Sequence, residues 1–179
     1  IDEWHKTMDD YVETKRCIFS NQSENDIAVF LPTNEFSALN ATFSKGTKLP
    51  YTEAPGAHIE NDWVCIEDSQ IIKTSDIKLL GKHNLQNICA AITATWQIEK
   101  NIEAIRLVLS TFSGLEHRLE FVVEVNKVRY YDDSFGTTPD TAIVAMDAFS
   151  QPKVMIVGGH DKGSPFHDLA ARLSKDDIR

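Results

Sequence analysis

Polar side chains suited to ligand binding gather in the stretch from residue 114 to residue 163. A His-Arg pair, His117 and Arg118, comes first; an acidic segment follows at 132–134, and a Gly-Gly pair closed by Lys162 comes last. An arginine here can reach a phosphate, a carboxylate can accept a hydrogen bond from a ribose hydroxyl, and a lysine can hold an anionic substrate group. Each charge alone could simply solvate a loop, but the whole set favours a ligand site.

The elements that must position these groups predict an α/β sheet. Two β-forming segments, 119–125 and 128–131, flank a two-residue turn at 126–127 and predict a hairpin. The apolar run 153–157 is typical of a strand in a parallel sheet. Ligands of open α/β sheets bind outside the carboxyl ends of the strands, so the acidic segment and the Gly-Gly-Lys segment are expected to share one crevice edge.

Helices are predicted after both of these strand ends. Thr138 suits an N-cap and Pro139 a first helical position. Ser164 and Pro165 begin a second helical pattern. The order strand, helix, strand, helix implies a right-handed crossover and therefore an α/β fold class.

The helix predicted over residues 7–19 carries a lysine, Lys15, within its apolar stripe. One interpretation is a lysine whose stem packs while its ammonium reaches water. The other is a partly desolvated lysine, whose lowered pKa would allow the neutral amine to react with carbon dioxide. The resulting carbamate could bind a cation.

A second helix begins near His83, with Asn84 at its start and Asn87 one turn further on. An asparagine at a helix start is often only an N-cap. Two carboxamides one turn apart beside a histidine could instead hydrogen-bond a planar heterocycle such as adenine.

The remaining segments are less informative about function. Residues 27–31 predict a short buried strand, 32–60 a turn-rich region and 63–72 a short β meander. Residues 102–112 predict an amphipathic helix with Gly114 as its C-cap, followed by a domain boundary.

Composition limits the function classes. With 179 residues, 42% hydrophobic, the chain can bury a core, and its net charge of −9 argues against nucleic acid as a main partner. The three cysteines are far apart, which predicts buried free thiols in a reducing cytoplasm. No apolar run is long enough for a membrane span.

No GxGxxG and no GxxxxGK[ST] occurs, so any phosphate-binding loop is expected to lie outside these residues. The chain starts at Ile1 without methionine and stops just after a helical pattern, so it is expected to be a piece of a longer protein.

Four segments, in this order and spacing, resemble the Mur ligases: GKHNLQN (81–87), GLEHRLEFV (114–122), YYDDSFGTTPDTA (130–142) and VGGHDKG (157–163). The N-terminal segment is similar to the part of the family's central domain that ends in a carbamylated lysine. The resemblance covers nearly the whole chain. It implies that residues 1–114 are the C-terminal part of the central ATP-binding domain and that 115–179 begin a Rossmann-like C-terminal domain.

The resemblance is greatest to members that join D-glutamate to UDP-N-acetylmuramoyl-L-alanine, in peptidoglycan precursor synthesis. It implies an ATP-dependent amide ligase that acts through an acyl phosphate, with Mg²⁺ as cofactor. It further implies a cytoplasmic monomer, and the isolated chain is expected to be inactive.

Residue roles follow from the same resemblance. Lys15 would be the catalytic, carbamylated lysine that supports the metal. Asn87 and Asn84, with His83, would face the adenine.

On the other side of the predicted boundary, Arg118 would contact the ATP phosphates and Asp133 the ribose. Lys162 would bind the carboxylate of the incoming amino acid. Ser134 and Thr137 would line the same substrate site.

The chain departs from the family pattern at Phe135, where many members have a lysine after the Asp-Ser pair, and at His160-Asp161 before Lys162. Two alternatives remain open. One is another superfamily member, such as a folylpolyglutamate synthase or a ligase for a different amino acid. The other is a non-catalytic nucleotide-binding α/β module.

Overall fold

The computed structural model describes residues 4–160 and 163–179. These residues fall into two compact units. Unit 1 contains the described residues up to Asp76 together with Gln86–Val108, and unit 2 contains Ile77–Leu85 with Leu109–Arg179 apart from 161 and 162. The chain therefore passes from one unit to the other three times.

Unit 1 begins with helix α1, Met8–Ser20, which confirms the predicted first helix. A reciprocal capping box starts it: the Asp10 amide donates to Thr7 Oγ1, and the Thr7 amide donates to Asp10 Oδ2, each at 3.1 Å. Helix α2, Glu35–Ala41, packs against α1 through Asn40, whose Nδ2 donates to the Val12 carbonyl at 3.2 Å.

A parallel pair of strands accompanies these helices. Strand β1, Ile27–Phe30, pairs with β2, Thr47–Pro50. The turn-rich region predicted over 32–60 is therefore wrong in part, because it holds both α2 and β2. Asn34 caps α2 by accepting from the Ser37 amide at 2.9 Å, so this turn-forming residue starts a helix rather than extending a loop.

The predicted meander is present as an antiparallel sheet of β3, His58–Glu60, β4, Trp63–Ile66, and β5, Ser69–Lys73. A short 3-10 helix, Thr74–Asp76, follows it. Helices α3, Lys82–Trp96, and α4, Ile102–Thr111, come next in the chain. The core of unit 1 combines buried side chains of β4 and β5 with those of α3, namely Val64, Ile66, Ile71, Ile72, Ile88, Cys89, Ile92, Thr93 and Trp96.

Unit 2 contains the predicted hairpin. Strands β6, Glu120–Val125, and β7, Val128–Asp132, are antiparallel. Asn126 and Lys127 both have left-handed φ angles, 51° and 66°, as a two-residue hairpin turn requires. Helix α5, Pro139–Asp147, has Thr138 as its N-cap, which confirms that prediction, and α6 spans His167–Leu173.

The parallel strand predicted at 153–157 is wrong for the described part of the chain. Lys153 forms only an isolated parallel bridge with Ile178, and the sheet of β6 and β7 has no third described strand. Val154 and Ile156 are 73% and 97% exposed, whereas a fully apolar strand needs both faces covered. The shared crevice edge expected at 132–134 and 158–162 therefore does not form as a sheet edge among the described residues.

The cysteines are free, but they are not all buried as predicted. Cys65 and Cys89 are buried, and burial raises the pKa of the Cys89 thiol to about 11. Cys17 is exposed on α1. In the described parts of the chain, no helix has the length and apolarity to cross a membrane.

Thr93 gives a test of the unit 1 core. Its hydroxyl is fully buried, accepts from the Ala57 amide at 2.8 Å and donates to the Cys89 carbonyl at 2.7 Å. Thr93→Val keeps the shape but leaves the buried Ala57 amide unpaired. We expect it to lower the free energy of unfolding by about 1–3 kcal/mol, measured by urea denaturation.

The matched control is Thr95→Val, because Thr95 lies on the same helix with an exposed side chain that donates to its own helix at Ala91. We expect Thr95→Val to change the free energy of unfolding by no more than about 0.5 kcal/mol. Equal effects of the two substitutions would contradict the role given to the Thr93 hydroxyl.

Candidate functional site

Arg118 lies in a loop with an unusual backbone. The residues on either side of it, His117 and Leu119, both have left-handed φ angles, 63° and 47°. Side chains with a Cβ rarely adopt this conformation, which persists only where neighbouring structure holds it. We call residues 115–119 the Arg118 loop.

The loop is held by the turn that follows β7, residues 132–136, which we call the Asp133 turn. The Leu119 amide donates to Asp133 Oδ1 at 3.0 Å, and the Phe135 amide donates to the His117 carbonyl at 2.9 Å. A third contact joins His117 Nδ1 to Asp132 Oδ2 at 2.8 Å. The structure thus brings the segments that carry Arg118 and Asp133 together within unit 2.

The Asp133 turn is tight. The Gly136 amide donates to the Asp133 carbonyl at 2.9 Å, and a Cβ added to Gly136 would lie 2.9 Å from Asp133 Oδ2. Asp133 is half-buried, whereas Ser134 and Thr137 are exposed. The carboxylate of Asp133 is therefore fixed in place, and the two hydroxyl residues can reach a ligand from solvent.

The charges of the site affect one another. Hydrogen bonds from the His117 side chain and the Ser134 amide lower the pKa of Asp132 to about 2. In return, the hydrogen bond to Asp132 raises the pKa of His117. The pKa of His83 is lowered, mainly by burial and next by the charge of Arg118, while the charge of Asp133 opposes the shift. His83 therefore lies within electrostatic reach of both groups.

A cleft of about 270 Å³ opens beside Arg118. Its walls include Leu79, Leu80 and the rings of Phe121 and Tyr131, whose centroids are 5.6 Å apart. Asn84 also lines it and donates through Nδ2 to the Leu80 carbonyl at 2.7 Å. A mostly apolar cleft with an amide and a guanidinium is suited to a flat, partly charged ligand.

Asn84 is not the N-cap of α3, because the helix already begins at Lys82. Phe121 and Tyr131 were not among the sequence-predicted site residues. They face each other across the hairpin only because its register shifts between Phe121 and Val123, so the sequence offered no signal for this pair.

The remaining predicted residues lie elsewhere. Asn87 is an exposed residue of α3 in unit 1. Lys15, also in unit 1, is exposed, with its ammonium 5.3 Å from the centroid of the Tyr11 ring. Of the two interpretations of Lys15, this exposure favours the one in which the ammonium reaches water. Lys162 lies outside the described residues.

His117, Glu120 and Asp132 offer ligand atoms within 4.8 Å of one another, as a metal site would. The Glu120 carboxylate already accepts the His117 amide at 2.7 Å, and His117 Nδ1 already contacts Asp132. These hydrogen bonds account for the grouping without an ion.

Comparisons with known proteins extend over nearly all of the chain. Residues 2–95 match the Mur ligase middle domain. The UDP-N-acetylmuramoylalanine--D-glutamate ligase of Clostridium kluyveri is 39% identical over 170 residues, which are 93% of this chain and 37% of that protein. The ligase of the same name from Caldanaerobacter subterraneus subsp. tengcongensis is 34% identical over 175 residues, 96% of this chain and 39% of the relative.

Among solved structures, folylpolyglutamate synthetase from Lactobacillus casei superposes with a TM-score of 0.59 over 91% of this chain and 43% of that one. At 18% identity this likeness concerns the fold. The chain spans less than half the length of each of these relatives.

The His117–Asp132 pair predicts a pH window of stability. The Asp132 carboxylate contributes to the stability of the fold above the pKa of an unfolded aspartate, 3.8. This contribution is lost as the pH falls through the folded pKa of about 2. The pKa of His117 is raised in the folded state, so its contribution to stability is complete below the unfolded pKa of 6.5. This contribution is lost as the pH rises through the folded pKa. We expect His117→Gln to differ most from wild type in thermal midpoint between about pH 4 and 6.5.

The control is His167→Gln, because the His167–Asp168 contact at 3.2 Å lies on the surface. A difference between wild type and His117→Gln that is the same at about pH 3, 5.5 and 9 would contradict the assignment.

Proposed function

Because this chain belongs to the Mur ligase family, we propose that it forms part of an ATP-dependent ligase that joins D-glutamate to UDP-N-acetylmuramoyl-L-alanine. The observation that carries the proposal is the joining of the Arg118 loop to the Asp133 turn beside an apolar cleft. The names of the relatives support the choice of substrates. Such a reaction belongs to peptidoglycan precursor synthesis.

The proposed reaction has two steps. The carboxylate of the UDP-linked substrate attacks the γ-phosphorus of ATP, giving an acyl phosphate and ADP. The amine of D-glutamate then attacks the acyl carbon, forming the amide and releasing phosphate. Such catalysis depends mainly on positioning and on neutralising phosphate charge.

Arg118 is proposed to contact the phosphates of ATP. A guanidinium suits this role because its planar N–H groups bind phosphate oxygens in pairs. The proposed ribose contact is Asp133, whose Oδ1 is held by the Leu119 amide. Asn84 and Asn87 are the proposed adenine contacts, and the cleft beside Asn84 supports the first of these.

The amino acid is proposed to contact Lys162 through its carboxylate, with Ser134 and Thr137 lining the same site. Phe135 is 66% exposed, and its side chain has no polar atom, so it supplies no polar contact. The proposed polar contacts to the amino acid are therefore made by Lys162, Ser134 and Thr137.

Mg²⁺ would neutralise phosphate charge, and a carbamate on Lys15 would be its support in this chain. Among the described residues, no group of three His, Cys, Asp or Glu ligands includes a neighbour of Lys15, so this part of the chain alone does not fit the ion.

The organisation of the longer protein is part of the proposal. Residues 1–114 would belong to the central ATP-binding domain and 115–179 to the amino-acid-binding domain, in a monomeric cytoplasmic enzyme. The three free cysteines support a reducing compartment.

The function is tested with the complete gene product that contains this chain. We expect release of ADP and phosphate with ATP, UDP-N-acetylmuramoyl-L-alanine and D-glutamate together, and background release when any one is left out. Parallel assays with L-glutamate and meso-diaminopimelate test other amino acids. Turnover with one of these instead would assign a different ligase of the family, and no turnover with any would favour a non-catalytic nucleotide-binding module.

Arg118→Ala tests the phosphate contact. Loss of a charge-assisted hydrogen bond to phosphate is expected to raise the KM for ATP about tenfold to hundredfold, with Arg118→Lys intermediate. The matched control is Arg129→Ala on β7, because Arg129 is a half-exposed arginine whose contact is with Glu124 at 3.8 Å. An unchanged KM in Arg118→Ala, or an equal change in the control, would remove Arg118 from the site.

A further inference from the structure

The backbone around Arg118 needs an external hold. Two left-handed residues flank it, and neither is glycine, so the loop would relax if nothing restrained it. A relaxed loop would no longer aim the guanidinium in one direction. The hydrogen bonds that restrain the loop therefore bear on ligand binding as well as on folding.

One carboxylate, that of Asp132, connects both segments of the site. Its Oδ2 contacts His117 Nδ1 at 2.8 Å, and its Oδ1 accepts from the Ser134 amide at 2.8 Å. The first contact reaches the Arg118 loop, and the second shapes the Asp133 turn. Asp132 stands directly before Asp133 and His117 directly before Arg118, so the pair links the immediate neighbours of both proposed ATP contacts.

Glu120 completes the arrangement. Its Oε2 accepts from the His117 amide at 2.7 Å, and the register of the hairpin places Glu120 opposite Asp132. His117 is thus held at its amide, its carbonyl and its ring. Three separate bonds on one residue leave it little freedom to leave the left-handed conformation.

From these contacts we propose that Asp132 is a positioning residue, which acts through His117 to hold Arg118 in the direction that binds the ATP phosphates. The inference rests on the proposed function. It assigns Asp132 no contact with substrate, and it distinguishes Asp132 from its neighbour Asp133, the proposed ribose contact.

Charge strengthens the hold at pH values below the raised pKa of His117. The acidic groups that face His117 are Asp132, Glu120 and Glu116, and all three favour its imidazolium form. As the pH rises through the pKa of His117, the ion pair with Asp132 weakens to a hydrogen bond between a neutral imidazole and the carboxylate. The KM for ATP should therefore rise with pH in a way that depends on Asp132.

The test compares Asp132→Ala and Asp132→Asn in the complete gene product. Asp132→Ala is expected to raise the KM for ATP about threefold to tenfold with kcat changed less than about twofold. Asp132→Asn keeps a hydrogen-bonding oxygen but no charge, so it should recover part of the loss. It should also remove the Asp132-dependent rise of KM with pH.

A second measurement does not require ligase activity. Hydrogen exchange of the Leu119 amide, which donates to Asp133, reports whether the Arg118 loop stays on the Asp133 turn. We expect exchange about tenfold faster in Asp132→Ala than in wild type. Asp168→Asn is the control, because it removes the charge from an exposed His–Asp pair on α6.

The outcomes separate the two claims. Without ligase activity in the wild type the proposed function fails, while Leu119 exchange still decides whether Asp132 holds the loop. A lowered thermal midpoint in Asp132→Ala with unchanged KM and unchanged Leu119 exchange would overturn the positioning role. So would an equal change in KM or exchange in Asp168→Asn.

Discussion

The hydrogen bond from the Leu119 amide to the Asp133 carboxylate is the contact on which the candidate site depends. It joins a strained loop to a tight turn, and it occupies one oxygen of Asp133 while Gly136 closes against the other. The backbone N–H of Leu119 holds the Asp133 carboxylate in one orientation. Without this bond and the two contacts of His117, with the Phe135 amide and with Asp132, Arg118 and Asp133 would be two charges on unconnected surface segments.

The two neighbouring aspartates take different parts because their surroundings differ. Both oxygens of Asp132 are occupied, by His117 and by the Ser134 amide, and its pKa is lowered accordingly. Asp133 gives one oxygen to the loop. The two identical side chains are thus divided by their hydrogen bonds: both oxygens of Asp132 accept them, whereas Asp133 has one oxygen engaged and is the proposed ribose contact. Sequence type alone cannot make that division, since it follows from which backbone amides point at which carboxylate.

Local rules predicted much of the fold. Thr138 and Pro139 marked the start of α5, and the turn at Asn126-Lys127 marked the hairpin, because caps and two-residue turns are decided by the residues themselves. The sequence was a weaker guide to which distant segments of the chain pair as strands. The run 153–157 has a strand's composition, but strand formation needs a partner, and the described chain supplies a bridge at Lys153 and one hydrogen bond from the Met155 amide to the Arg179 carbonyl.

The hairpin of β6 and β7 is a second case in which the local sequence does not predict which residues pair. A regular register from the turn would place Tyr131 opposite Val122, but an irregularity between Phe121 and Val123 shifts the pairing. Phe121 then faces Tyr131 at the cleft, and Glu120 faces Asp132, where both carboxylates meet His117. One extra residue in a strand, invisible to alternation patterns, thus decides which side chains surround the Arg118 loop. The family resemblance suggested Arg118 and Asp133 as site residues, and this shift in register brings Glu120 and Asp132 to the His117 that precedes Arg118.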